Sequence, residues 1–246
     1  MSYTISAHFG TKMSRDHNIR NPKVVDSEKY IDPNGYHRTI QDSTVRQAYY
    51  EVFGQSQVEY NTKQTRPDRL INDYFSKVLE AYKRDPKRNP ATSQEVIFTI
   101  GNVNDCPDIK KSEEALLDFL EKWKADNPNV HVFGVYFHAD EPGSAPHLHV
   151  DYILIKRENK RGMSLQVGQE GALKEIGYFT MGTMKEGNRV TAQTKWQQEA
   201  RKLLRNVARE HGLEIQEPGT GRKEAKHLDT KIFKKKTALK KLKQPL

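Results

Sequence analysis

Residues 130–155 constrain the fold more than any other part of this chain. Residues 130–138 and 147–155 are both dense in β-branched and aromatic side chains, the composition of strands. Only residues 139–146 separate them, and Pro142, Gly143 and Pro146 make that stretch a loop. A parallel pair needs a crossover of a dozen or more residues, so this short connection favours an antiparallel pair.

Other elements arrange themselves around that pair. Residues 2–8 and 95–101 read as two further strands, and residues 10–35 as a polar, turn-rich functional loop in which Asp32-Pro33-Asn34-Gly35 carries a turn signal. A helical pattern spans residues 43–82, with Val45, Tyr49, Val52 and Phe53 on one face and Leu70, Tyr74, Val78 and Leu79 on another; Pro67 divides it in two. Ser112 is placed to cap a helix that carries Leu116, Leu117, Leu120 and Trp123 and ends near Asn127-Pro128. Residues 191–211 form an amphipathic helix through Trp196, Leu203, Leu204 and Val207, closed by Gly212. The expected class is α+β, an antiparallel sheet backed by helices.

Charge divides the chain. Residues 222–246 carry ten Lys/Arg against Glu224 and Asp229, while the net charge of all 246 residues is +9. A body at 1–215 and a basic extension at 216–246 are therefore expected, the latter suited to phosphates or merely to solubility. The N-terminus lacks the basic head and apolar run of a signal peptide, and no stretch approaches a membrane span, so a cytoplasmic protein is expected. With Cys106 alone, an intramolecular disulfide and any multi-cysteine zinc site are excluded.

Four of nine histidines fall between positions 131 and 149, and the informative run is His138-Ala-Asp140-Glu141, then Pro146-His147-Leu148-His149. On a strand, His147 and His149 project from one face with Cα atoms about 6–7 Å apart. Pairing the two strands brings His138 close to both. Such histidines can be ordinary surface residues; the upstream His138, the acidic pair and the Pro-bounded loop favour a divalent metal with open coordination positions.

This run resembles the third motif of the plasmid Mob/Pre mobilisation relaxases, the MOBV group of the HUH endonuclease superfamily, named for its His-hydrophobic-His triplet. The resemblance implies an HUH relaxase-like palm, a catalytic domain over 1–215, and a divalent ion, Mn²⁺ or Mg²⁺, held by His138, His147 and His149. It implies that Glu141 belongs to the same active site. Arg15-Asp16-His17-Asn18-Ile19-Arg20 is similar to the family's first motif, which makes His17 the implied nucleophile and Arg20 its companion. An imidazole with a reference pKa near 6.5 is mostly neutral at pH 7 and can attack phosphorus without a strong base, giving a phosphoramidate. Arg20 would then offset charge developing on the phosphate.

Residues 30–36 resemble the second motif, which makes Tyr36 the rival nucleophile and Asn34 and Tyr36 DNA contacts. Lys63, Arg66 and Arg69 are candidate contacts to the DNA backbone or a solvated helix face. The implied activity is strand-specific nicking and strand transfer at a plasmid origin of transfer through a covalent 5′-phosphoryl intermediate. The implied partners are single-stranded or hairpin origin DNA and a coupling protein of a conjugation system. Two readings compete with it: a replication initiator or inactive DNA-binding protein of the same fold, and a non-haem iron oxygenase using His138, Asp140 and His147.

Overall fold

A computed structural model of the chain describes residues 2–10, 13–28 and 30–217. Two compact units divide the chain, Met1–Ile215 and Gln216–Leu246, and the basic run at 222–246 lies outside the described residues. The described part of the first unit is built on strands β1 (Ile5–Gly10), β2 (Tyr36–Asp42), β3 (Gln94–Ile100), β4 (Val130–Ala139), β5 (His147–Lys156) and the two-residue β6 (Gln166–Val167). Every neighbouring pair is antiparallel; the order is β1-β3-β5-β4-β2, with β6 paired to the end of β5. The expected α+β class and the β4–β5 pairing are both present.

Alternation along β5 sorts its residues between two layers. Leu148, Val150, Tyr152 and Leu154 enter a core shared with α5 (Ile109–Asp126) through Leu116, Phe119, Leu120 and Trp123, and with α7 (Ala192–Glu210) through Trp196, Leu204 and Val207. Each fully buried large apolar side chain there contributes about 1.5–3 kcal/mol. On the other face Ile153 and Ile155 meet α3 (Val45–Thr62) and α4 (Tyr74–Arg84) through Tyr49, Phe53, Tyr74 and Val78. Helices thus cover both faces, and α3 and α4 cover only the Ile153–Ile155 end of the second.

A bulge between Val132 and Gly134 of β4 helps build that second layer. The extra residue, Phe133, turns into the α3–α4 cluster instead of following Val135 and Phe137 into the other core.

Two elements differ from the sequence reading, and the expected division at Pro67 is present. Ser112 lies inside α5, whose cap is Asp108, with its side chain accepting from the backbone amides of Lys110 and Lys111. The break at Pro67 is real, and a 3-10 turn, Pro67–Arg69, separates α3 from α4, each capped by its own residue, Thr44 and Asp73. Residues 10–35, expected as loop, contain two short helices, α1 (Arg15–Asn18) and α2 (Pro22–Ser27).

The turn before β2 packs directly on the end of β4. The amide of Asp32 donates to the carbonyl of Asp140 over 2.7 Å. A Cβ placed on Gly35 would sit 2.6 Å from the Cβ of Asp140, so only glycine fits this approach. Gly35→Ala is expected to lower stability by about 1–3 kcal/mol, read as a fall in the urea midpoint; an unchanged midpoint would show that the turn is free to move away.

Candidate active site

Strand register brings the histidines together. His138 of β4 stands directly opposite His147 of β5, and His149 follows two residues later on the same face. Ring centroids are 5.5 Å apart for His138–His147, 4.7 Å for His138–His149 and 5.0 Å for His147–His149. All three side chains are buried.

Each ring has one nitrogen committed to an acceptor. His138 Nε2 donates to the carbonyl of Asn18 over 2.9 Å, His147 Nδ1 to the carbonyl of Ala145 over 2.9 Å, and His149 Nδ1 to the Glu95 carboxylate. A carbonyl can only accept, so the opposite nitrogen keeps its lone pair. His138 Nδ1 and His149 Nε2 are buried with no hydrogen-bond partner among the described residues, and His147 Nε2 is 3.8 Å from Glu141 Oε1. Burial lowers the pKa of all three rings, those of His138 and His149 well below the ordinary value, which favours their neutral forms. Neutral imidazoles with orphaned inward nitrogens and partners fixing their tautomers are the donor set a divalent cation satisfies.

Among the described residues, two sets bring potential ligand atoms within 4.8 Å of one another: His17, His138 and His149; and His138, Glu141 and His147. The expected trio therefore straddles two overlapping clusters joined at His138, with His17 and Glu141 completing one each.

A four-residue helix has too few hydrogen bonds to stand alone, so α1 is held by its side chains. Arg15 pairs with Asp42, whose carboxylate also accepts from the Tyr136 hydroxyl over 2.8 Å. Asn18 receives the His138 bond on its carbonyl and donates through Nδ2 to Glu95 over 3.3 Å. These anchors suspend His17 over the trio, with its ring centroid 5.6 Å from that of His138 and 5.7 Å from that of His149.

His17 lies between two carboxylates. Nδ1 is 2.7 Å from Glu28 Oε2, and Nε2 is 3.3 Å from Glu141 Oε1. Burial alone would lower its pKa, but the bonds to Glu141 and Glu28 outweigh that and raise it. In the metal-free protein the ring thus holds its proton more firmly than a free imidazole does, and attack on phosphorus requires a group to take that proton.

Arg20 has a different task from the one its residue type suggests. Its side chain is only 2% exposed; Nε donates to Asp140 Oδ2 over 2.7 Å, Nη2 bonds Asp140 Oδ1, and Nη2 also reaches Glu141 Oε1 at 3.1 Å. Its φ is +54°, a left-handed backbone that costs a non-glycine residue about 1–3 kcal/mol. The bidentate pair with Asp140 offsets that strain and ties the end of the His17 segment to β4. Both Asp140 oxygens are thereby taken and Asp140 joins neither ligand set, which removes the geometric basis for an iron triad of His138, Asp140 and His147.

The remaining candidates lie elsewhere. Tyr36 and Arg38 share the α5 face of β2, where the Tyr36 hydroxyl and Arg38 Nη1 each donate to Glu113 over 2.9 Å, opposite to the histidine face. Asn34 is exposed in the turn. Lys63 caps the end of α3, Arg66 pairs with Asp68, and Arg69 ends the 3-10 turn; all three are exposed. His37, which the sequence does not single out, stands opposite His138 at the rim of the site, 3.5 Å from Asp140.

Two further acids emerge only in the structure. Glu95 and Asp151 face each other across β3 and β5 on the histidine face. Burial pushes Glu95 up to about 7, and burial reinforced by the Glu95 charge pushes Asp151 up to about 8. Period-2 alternation is the available signal for Asp151, since His147, His149 and Asp151 share one face of a strand too apolar for a stray carboxylate.

Both acids hold a proton in the folded state at pH values where the unfolded chain has lost it, so their stabilisation is complete below about pH 4 and is lost as pH rises towards 8. His138, His147 and His149, held neutral in the fold, contribute with the opposite sign below about pH 6.5, so the urea midpoint of the metal-free protein is expected to fall only from about pH 7 to about pH 8, with Asp151→Asn flattening that fall. A slope identical in the variant would contradict this assignment.

The chain belongs to the Mob_Pre family of plasmid recombination enzymes, whose model matches residues 31–235. The matched span starts after His17 and Arg20 and includes the histidine run. Two solved structures of the relaxase domain of MobM, a MOBV Mob_Pre protein, are similar to this chain; both are Mn-bound and hold a 22-nucleotide oriT DNA of plasmid pMV158. One, at pH 5.5, is 18% identical, covers 95% of this chain and 99% of its own, and has a TM-score of 0.43. The other, at pH 4.6, is 18% identical, covers 94% and 99%, and has a TM-score of 0.39. No curated protein sequence matches the chain. Among the described residues, no helix is long and apolar enough to cross a membrane.

Proposed function

We propose that this protein is a relaxase that nicks one strand of plasmid DNA at an origin of transfer and keeps the 5′-phosphate on His17. The observation that carries this reading is the meeting of four histidines in one pocket: three neutral rings with inward lone pairs, and a fourth ring placed above them by α1. His138, His147 and His149 would hold a divalent ion, Mn²⁺ or Mg²⁺. Such an ion, when bound, polarises the scissile phosphate and offsets the charge that builds on its oxygens.

The chain's own residues do the rest. Glu141, within reach of His17 Nε2 and of Arg20, accepts the Nε2 proton and so frees the lone pair. Arg20 acts through position, holding Glu141 and the His17 segment on Asp140 rather than touching the phosphate. When Nε2 is deprotonated, Arg20 Nη1 stands 3.1 Å away and can donate to it, so the nitrogen has a partner in either state. Attack by His17 exchanges one phosphorus ester for a phosphorus–nitrogen bond, needs no nucleotide cofactor and is reversible, as strand rejoining requires. Origin DNA is the proposed substrate; Asn34, Lys63, Arg66 and Arg69 would be contacts to its backbone, weakened by salt.

Incubation with supercoiled plasmid carrying the origin, in the presence of Mn²⁺ or Mg²⁺, is expected to give relaxed circles with protein on the 5′ ends. Origin binding with no nick under either ion would instead make this an inactive DNA-binding member of the fold.

A further inference from the structure

The His17 ring is asymmetric in a way that neither the family match nor the histidine motif explains. Arg20 Nη1 lies beside both ring nitrogens, at 3.1 Å from Nε2 and 3.4 Å from Nδ1, so the carboxylates set the difference: Nε2 meets Glu141 at 3.3 Å and Nδ1 meets Glu28 at 2.7 Å. Glu28 Oε2 accepts from His17 Nδ1 over 2.7 Å and from the Tyr30 hydroxyl over 2.7 Å. Tyr30 thereby fixes the carboxylate at the end of α2, and its own ring lies 6.3 Å from that of His17. Both residues precede the span that the family model matches.

Resting on the reading of His17 as nucleophile, we propose that Glu28, fixed by Tyr30, is a positioning residue that holds His17 in its Nδ1–H tautomer and so makes Nε2 the atom that attacks phosphorus. An ionised carboxylate can only accept, so any His17 ring bonded to Glu28 must carry hydrogen on Nδ1. Loss of a proton to Glu141 then leaves the lone pair on Nε2, the nitrogen on the trio's side. Without Glu28 the neutral ring would divide between two tautomers and turn about its χ2, and only one arrangement aims a lone pair at the pocket.

During cleavage the Nε2 proton passes to Glu141; the Nε2 lone pair forms the N–P bond; the P–O3′ bond breaks; and the 3′-oxygen takes the proton from Glu141. Nδ1 keeps its hydrogen throughout, so the phosphorylated ring is cationic and the Glu28 carboxylate offsets that charge. A cationic imidazole is a better leaving group than a neutral one, so the same contact keeps the adduct open to attack by a returning 3′-hydroxyl. Glu28 therefore serves both cleavage and rejoining.

The test uses the full chain, a single-stranded origin oligonucleotide and Mn²⁺. Glu28→Ala is expected to slow single-turnover cleavage and rejoining by about 100-fold while the Kd for the oligonucleotide stays within about twofold. Glu28→Gln is expected to restore about tenfold over alanine, because its carbonyl oxygen still accepts from Nδ1–H. Spectra of ¹⁵N-histidine protein, taken across a pH titration and read on the basic side of the His17 transition, should show His17 as the Nδ1–H tautomer in the wild type and as a mixture in Glu28→Ala. That wild-type spectrum decides the matter even if the alanine variant folds poorly.

Unchanged rates in Glu28→Ala, or a wild-type Nε2–H tautomer, would overturn the assignment. His17→Ala run alongside separates the two claims. If it keeps the covalent adduct, the nucleophile reading itself fails; if it loses the adduct while Glu28→Ala behaves as wild type, only the role of Glu28 fails.

Discussion

His17→Ala is expected to abolish covalent capture of origin DNA, with cleavage reduced by at least about 10⁴-fold, the scale seen when a nucleophile is removed. DNA binding should survive, because the proposed phosphate contacts Asn34, Lys63, Arg66 and Arg69 lie outside the pocket. Tyr36→Phe is expected to leave capture intact and to change the rate by less than about tenfold, since the Tyr36 hydroxyl is bonded to Glu113 on the opposite sheet face. Gel shift of protein-linked oligonucleotide measures both. A Tyr36→Phe protein that binds but forms no adduct would transfer the nucleophile to Tyr36 and require β2 to turn over.

The second large effect concerns the metal. His147→Ala and His149→Ala are each expected to weaken Mn²⁺ binding by at least about 100-fold and to remove nicking at limiting metal. The donors are neutral nitrogens buried in the site, and the further imidazole beside them, His17, is bonded to Glu28 and Glu141. Glu95→Gln should do less, about tenfold, because it loosens the orientation of His149 without deleting the donor. Calorimetric titration with Mn²⁺ reads these directly, and excess metal should partly rescue Glu95→Gln but not the histidine variants. Equal affinity in His149→Ala and wild type would place the ion elsewhere, with His17 or Glu141 as its ligands.

The legible part of this molecule is the part that repeats with period two. His147-Leu148-His149 declares its faces, and the Pro-bounded loop of 139–146 leaves β4 and β5 no arrangement but antiparallel, so the pairing of His138 with His147 follows from sequence. Strand β2 escapes such a reading because Tyr-His-Arg-Thr-Ile-Gln-Asp is an edge strand, mostly exposed, and lacks the apolar alternation that marks a half-buried one. The start of α5 lies ahead of the expected Ser112 cap: Lys110 and Lys111 in its first turn oppose the usual charge preference and hide the Asp108 cap.

Around the histidines, the sequence reaches the proposed ligands and the motif-borne His17 but not the residues that fix them. Helix α1 has no periodicity to read; it exists because Arg15 and Asn18 bond to the sheet and Arg20, just beyond it, bonds to Asp140. Residue chemistry alone assigns Arg20 to the phosphate, since nothing local reveals that Asp140, distant in sequence, takes both arms of its guanidinium. Glu28 and Glu95 are invisible for the same reason. A carboxylate that orients an imidazole is defined by one contact in space, and neither spacing nor composition encodes it.

The nature of the bond between protein and DNA tests the account most directly. The covalent complex formed with Mn²⁺ can be digested and the nucleotide-bearing peptide sequenced by mass spectrometry, with a parallel sample exposed to acid. The expected result is a phosphoramidate on His17 that acid cleaves and alkali spares. An acid-stable nucleotide on a tyrosine, Tyr36 above all, would contradict it.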